Sequence, residues 1–314
     1  MGRRCDRVTR YIIRRLLLTI PVLIGASLLI YAMVYALPGD PVRALAGDRP
    51  LSAAVQAQIR ADYNLDDSLP VQYGKYVLGL LHGDFGADFS GRPVVDTISQ
   101  RLPVTVKLTV VAVIFETVFG IAAGILASLR RNSFFDNLVL VSTTMLVSIP
   151  VFVLGFLAQY IFGFKLGWFP IAGVADGWYS YLLPGLVLAA LSMAYVARLT
   201  RTAMLESLTA DYIRTARAKG VGRSRIVFRH AFRNSLIPVV TFIGADIGSL
   251  LGGAIVTESV FNLPGLGRAI FDAVRAQEGP VVVGIVTLMV FFYIFFNLVV
   301  DVLYAVIDPR IRYD

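Results

Sequence analysis

Three carboxylates of this chain, Glu116, Asp246 and Asp301, stand inside long apolar stretches, and Glu258 lies near the outer end of another. An ionisable group in such a stretch is costly, so each reads either as paired with a neighbouring segment or as lining a polar path. Asp301 sits close to Arg310 and Arg312 and reads as paired, whereas Glu116 and Asp246 are the candidates for a path. A second concentration of chemistry is basic. Between Arg198 and Ser235 stand nine Arg and Lys residues against two acids, Glu206 and Asp211, and Arg225, Arg229 and Arg233 recur every four residues. That spacing puts the three on one helix face. Other chemistries are poorly supplied. The two histidines, His82 and His230, are separated by several apolar stretches, and Cys5 is the single cysteine. Neither an imidazole metal site nor a disulfide follows from them. The sequence holds no Gly-x-x-x-x-Gly-Lys-Ser/Thr loop with which to cradle nucleotide phosphates.

The elements that must position these residues are membrane helices. Of 314 residues, 57% are hydrophobic and 16% charged, against about 45–50% and about 25% in soluble domains. Six apolar stretches approach the roughly 20 residues that a spanning helix needs: Leu16–Leu37, Val104–Ser128, Leu138–Gly163, Tyr181–Val196, Ile237–Val260 and Val281–Val306. The first exceeds the apolar core of about 7–15 residues of a secretory signal and is expected to stay as an anchor. Prolines 21, 150, 184 and 238 fall in or at the edge of spans, and a kink is expected at Ser148-Ile149-Pro150-Val151. With both termini inside, the inner segments hold 19 Arg and Lys residues and the outer segments 10, although the outer segments are longer. The positive-inside rule therefore sets both ends in the cytoplasm.

The predicted fold class is an all-α membrane protein with six transmembrane helices. Its expected parts are a cytoplasmic N-terminus over 1–15, a first span over 16–37, an extracytoplasmic domain over 38–102, a five-span core over 103–306 and a cytoplasmic tail over 307–314. In the outer insertion, Leu51–Tyr63 and Pro70–Leu81 read as short helices and Gly83–Pro93 as a glycine-rich connection. Within the core, residues 198–235 form a cytoplasmic loop. There, Ser207–Lys219 is rich in helix formers and Gly220 follows as a C-terminal cap. A second short helix starts at Ser224 with the basic face described above. Such a hairpin can present a knob to a cytoplasmic partner or rest on anionic lipid, and spacing leaves both readings open.

The stretch Asp211-Tyr-Ile-Arg-Thr-Ala-Arg-Ala-Lys-Gly220, followed by Arg229-His-Ala-Phe-Arg-Asn-Ser-Leu-Ile-Pro238, resembles the cytoplasmic coupling loop of permease subunits of ATP-binding-cassette (ABC) importers. It is similar in particular to B-type permeases of the oligopeptide and dipeptide branch. Ala216 and Gly220 match the general Glu-Ala-Ala-x-x-x-Gly pattern, while Arg214 and Thr215 replace its Glu and first Ala, as in the peptide branch. Further similar pieces are Leu37-Pro-Gly-Asp-Pro41, His82-Gly-Asp-Phe-Gly86, Gly91-Arg-Pro-Val94 and Leu102-Pro-Val-Thr105. Tyr195-Val-Ala-Arg-Leu-Thr-Arg201, Gly253 through Val260, Pro264-Gly-Leu-Gly267 and Asp308-Pro-Arg-Ile-Arg-Tyr313 complete the set in family order.

The resemblance implies a type I ABC importer permease fold in a bacterial cytoplasmic membrane, with no enzymatic activity and no cofactor on this chain. ATP and Mg would be bound by partner subunits. The implied partners are a homologous second permease, two ATPase subunits and an extracytoplasmic peptide-binding protein, besides the lipid bilayer; nucleic acid is not expected. It marks Asp211, Tyr212, Arg214, Thr215, Ala216, Arg217, Lys219 and Gly220 as the ATPase-coupling residues. The implied solutes are dipeptides and oligopeptides, with nickel chelates, glutathione and haem as alternatives. An ion-coupled secondary transporter is the rival class. It would show duplicated halves, but the large outer insertion and the basic loop each occur once.

Overall fold

The computed structural model describes residues 2–35 and 52–307. The end of the first predicted span, the Leu37–Pro41 and Asp308–Tyr313 motifs, the tail and the side chains of Cys5 and Asp301 lie outside what is described. Apart from one β-bridge between Ala87 and Pro93, the regular elements among the described residues are helical. In chain order they are α1 (Gly2–Tyr35), α2 (Ala53–Asp62), α3 (Leu69–Leu81), α4 (Val94–Phe115), α5 (Ile121–Leu129), α6 (Phe134–Ser148) and α7 (Val151–Ala158). There follow α8 (Leu182–Thr209), α9 (Asp211–Ala218), α10 (Arg223–Arg225), α11 (Phe232–Val260), α12 (Leu266–Arg275) and α13 (Gly279–Ile307). Wider π-helical turns at Glu116–Gly120 and Ile226–Ala231 join α4 to α5 and α10 to α11.

Among the described residues, five helical segments are long and apolar enough to cross a membrane, or six if one bent pair counts as a span. The bent pair is α6 with α7 and its π-helical extension, which meet at 107°. The sequence predicts a kinked span there, and the structure breaks it. Ile149, held extended at φ −95° and ψ 124°, is the residue before Pro150, where the proline ring disfavours helical backbone.

The chain divides into two compact units, Met1–Thr105 with Pro264–Asp314, and Val106–Leu263. In the first, α13 packs on α1, and the contact is close because Gly279 carries no side chain: a Cβ there would lie 2.9 Å from Val34 Cγ1. The insertion between the first two predicted spans supplies α2 and α3 near their predicted positions. Asp88 Oδ1 accepts from the Ser90 and Arg92 backbone N–H groups at 2.9 Å, closing the glycine-rich connection as a side-chain-capped turn.

In the second unit the axis is α8. Gly120 and Gly124 bring the α4–α5 segment onto it so closely that a Cβ at Gly120 would stand 2.7 Å from Val196 Cγ1, and one at Gly124 2.5 Å from Thr200 Cβ. Small residues four apart allow this backbone approach where lipid offers no hydrophobic drive. On the other side α11 packs on α8 through Val196, Val239 and Ile243.

Two predicted boundaries are corrected. The fourth span was expected to end at Val196, but α8 continues to Thr209. The predicted second short helix is no separate element: residues 223–231 run directly into α11, so the helical segment is Arg223–Val260. The predicted loop at 198–235 therefore contracts to the hairpin around α9. Arg198 and Arg201 sit on α8, where Thr143, Thr144 and Asp136 of α6 receive them.

Candidate functional site

The hairpin begins where α8 stops. Ala210 is extended at φ −65° and ψ 151°, so the predicted Ser207 start of the short helix moves to Asp211. At the other end Gly220 takes φ +76°, and the Val221 N–H returns to the Ala216 carbonyl at 3.1 Å. That is a left-handed glycine cap, as the sequence predicts. Gly222 then enters the next helix in extended backbone.

Ile213 anchors α9. It is fully buried with Met204, Ile226, Val227 and Ala231, and Leu129, Leu208, Ala216 and Val221 pack around them. One face is thereby fixed to the ends of α5 and α8 and the start of the 223–260 helix. The opposite face is free. Asp211, Tyr212, Arg214, Thr215, Arg217 and Lys219 are exposed, as is Gly220. Of the eight predicted coupling residues, Ala216 alone turns inward. Few ties restrain the outer face: Asp211 pairs with Arg214 at 3.6 Å, and the Tyr212 hydroxyl accepts from Asn234 Nδ2 at 3.1 Å. The result is a rigidly footed knob whose exposed side presents a mixed but mainly basic surface.

A joint that sequence reasoning missed stands behind this knob. Arg201 of α8 donates from Nε to Asp136 Oδ1 at 2.6 Å and from its second guanidinium nitrogen to Oδ2 at 2.8 Å. Asp136 is 2% exposed and also accepts from the Asn132 N–H at 2.9 Å, while Ser133 caps the same helix end. Three residues earlier in α8, Arg198 donates to the Thr143 and Thr144 hydroxyls at 3.1 and 2.9 Å. A bidentate, fully hydrogen-bonded pair fixes both distance and orientation. It locks the start of α6 to the stretch of α8 that leads into the hairpin. Ser133-x-x-Asp136, a helix-start pattern, was the signal available for it.

The two predicted path residues come together. Glu116 sits in the π-helical turn, on the same face as Gly120 and Gly124, and is wholly buried. The carboxyl of Asp246, on α11, faces it. Neither oxygen of Glu116 nor Oδ2 of Asp246 has a hydrogen-bond partner. Asp246 is only half-buried, so the pair is closed at Glu116 and opens through Asp246. Glu258 is buried beside Tyr181. Among the described residues no group of His, Cys, Asp and Glu is placed to hold a metal.

In the first unit, Tyr31, Tyr35, Tyr63, Tyr76 and Lys75 help line a cavity of about 430 Å³. Burial there pushes the Tyr76 hydroxyl up to about 12.

Among the described residues, five or six long apolar helical segments with a charged hairpin between two of them give the architecture of a membrane-embedded helical bundle. A family model described as binding-protein-dependent transport system inner membrane component matches residues 120–313, and the N-terminal companion model matches residues 8–109. The chain is 44% identical over 304 residues to the glutathione transport system permease protein GsiC of Escherichia coli (strain K12), covering 96% of this chain and 99% of that one. With GsiC of Salmonella typhimurium (strain LT2) the identity is 45% over the same shares. An inward-facing structure of the MetNI methionine ABC transporter shares the fold, with a TM-score of 0.56 at 19% identity over 67% of this chain and 97% of that one. This chain belongs to the binding-protein-dependent transport system inner membrane component family. It is an ABC importer permease of the peptide and nickel branch, a multi-pass inner membrane protein that works with a partner permease, an ATPase and a binding protein.

Proposed function

We propose that the chain carries glutathione or a closely related small peptide inward. The observation that supports this solute is the 44–45% identity with permeases named for glutathione transport, sustained over 96% of the chain. In this reading the importer holds one copy of this permease, a homologous second permease, two ATPase subunits that bind ATP and Mg, and an extracytoplasmic binding protein that docks on the outer insertion. Both termini and the 210–222 hairpin face the cytoplasm. The exposed residues of α9 seat in an ATPase groove, and closure of the ATPases moves the hairpin, shifting the population between inward- and outward-open states. Glu116 and Asp246 belong to the solute path. What supports that role is that the buried Glu116 is faced only by another acid, Asp246, an arrangement that calls for a proton or a cation between them.

The test is uptake by the complete importer in proteoliposomes, with labelled glutathione, a dipeptide and a nickel chelate offered separately. Glutathione should accumulate only with both ATP and the binding protein. Accumulation of the nickel chelate alone would replace the proposed solute. Uptake by the chain without ATPases would turn the assignment to a secondary transporter. For orientation, a cysteine introduced at Ser90 should react with an impermeant thiol reagent in intact cells and one at Ser224 should not.

A further inference from the structure

Between the hairpin and the helix ends that hold it lies a cavity of about 430 Å³. Its floor is mainly apolar, with Leu129, Leu208, Val221, Ile226 and Val227 beside Ser128. Its rim carries two exposed guanidinium groups, Arg217 on α9 and Arg223 at the start of α10, and no carboxylate. Neither arginine has an ion-pair or hydrogen-bond partner among the described residues, in contrast to Arg201 and Arg214 nearby. Leu129 and Leu208 belong to the last turns of the apolar helical segments Val94–Leu129 and Gly177–Thr209.

We propose that this cavity is a binding site for the headgroup of an anionic phospholipid. Guanidinium forks match phosphate oxygens in pairs, and Arg is suited to that contact where Lys would be a point charge. The apolar floor suits the glycerol and first methylenes of a lipid, which inorganic phosphate lacks. Arg217 and Arg223 stand on opposite sides of Gly220, the left-handed turn of the hairpin. A phosphate held by both would close that turn over the cavity, taking Arg217 from the face of α9 and leaving Asp211, Tyr212, Arg214, Thr215 and Lys219 for the ATPase. The two readings of the basic loop then cease to compete, since one hairpin serves a lipid on one side and a protein on the other. Negative lipid thereby stiffens the knob through which ATP hydrolysis is coupled, a consequence that rests on the proposed coupling role. The binding itself does not.

The experiment uses the assembled importer in nanodiscs of phosphatidylcholine alone or mixed with phosphatidylglycerol. Native mass spectrometry reads retained lipid, and ATP hydrolysis stimulated by loaded binding protein reads coupling. Wild type should retain phosphatidylglycerol and hydrolyse ATP several-fold faster in the mixed discs. Arg223→Gln should lose that lipid and the acceleration while keeping its rate in phosphatidylcholine, and Arg223→Lys should restore only part of both. Arg225→Gln removes an equal charge two residues away, outside the cavity lining, and should behave as wild type. An equal loss in Arg225→Gln would reduce the effect to general surface attraction and overturn the site. Retention of phosphatidylglycerol by Arg223→Gln would overturn it too, as would wild type that retains none. Should inorganic phosphate added to phosphatidylcholine discs reproduce the acceleration, the ligand is a free anion and the lipid assignment fails. Lipid retained at Arg223 without any acceleration would uphold the site and count against the coupling reading alone.

Discussion

Two buried carboxylate sites in the second unit share a chemistry and differ in what surrounds them. Asp136 is answered at both oxygens: a bidentate guanidinium and the Asn132 backbone N–H account for them, and its own N–H is capped by Ser133. Glu116 is buried more completely and has only another acid, Asp246, before it. Burial of a charge costs several kcal/mol unless it is paired and hydrogen-bonded. A satisfied buried charge is therefore a joint, and an unsatisfied one is a place held for something else. The joint lies on α8 just before the hairpin, where the proposed coupling role calls for a fixed lever arm. The other pair lies at the meeting of the π-helical turn and α11, where the proposed path would have use for it.

The sharpest way to break this contrast is at the joint. Arg201→Ala leaves Asp136 buried and unpaired and should destabilise the permease by about 3–5 kcal/mol, seen as loss of folded protein in detergent and a lowered melting temperature. The double variant Asp136→Leu with Arg201→Leu should recover much of that loss, because neither charge is then stranded. Recovery without transport would show that the joint matters for rigidity beyond stability.

At the other site the expected sign differs. Glu116→Gln keeps the shape and removes the charge, so the melting temperature should change by no more than about 1 kcal/mol equivalent, or rise, while uptake falls. A loss as large as that of Arg201→Ala, with transport per folded molecule unchanged, would make Glu116 structural.

A milder case sharpens the comparison. Glu278 is half-buried near Asp88, and burial first, then that neighbouring negative charge, holds its carboxyl above the usual range. A folded value above the unfolded one means that its contribution is fully present below about pH 4 and is lost as pH rises through the raised value. Glu278→Gln should flatten that decline slightly, read as a smaller fall in melting temperature between acidic and neutral pH than wild type shows.

Much of this was legible in the residues. The apolar segments, the glycine cap at Gly220 and the unusual status of Glu116 and Asp246 follow from composition and spacing. What sequence concealed were pairings between helices. Arg198 and Arg201 look like loop charges, and only Thr143, Thr144 and Asp136 on α6 explain how a helix carries them. Asp136 lies just before the predicted third span, so it drew no notice as a buried group. Pro150 was visible, but whether a proline bends a span or breaks it depends on how the freed backbone is satisfied. That Glu116 and Asp246 face each other is likewise a property of the packing, set by Gly120 and Gly124 drawing the π-helical turn onto α8.

The coupling role of the hairpin is tested most directly at Gly220. Open space surrounds the position where a Cβ would stand, yet φ is +76°, a conformation that costs a side chain about 1–2 kcal/mol and a β-branched one more. Gly220→Val should therefore deform the tip of the knob without crowding any neighbour. The decisive measurement is solute-stimulated ATP hydrolysis by the reconstituted importer carrying Gly220→Val, with ATPase subunits retained on the permease counted in the same preparation. The account predicts a permease that inserts normally and no longer links hydrolysis to solute. Full stimulation with a full complement of ATPases would contradict it.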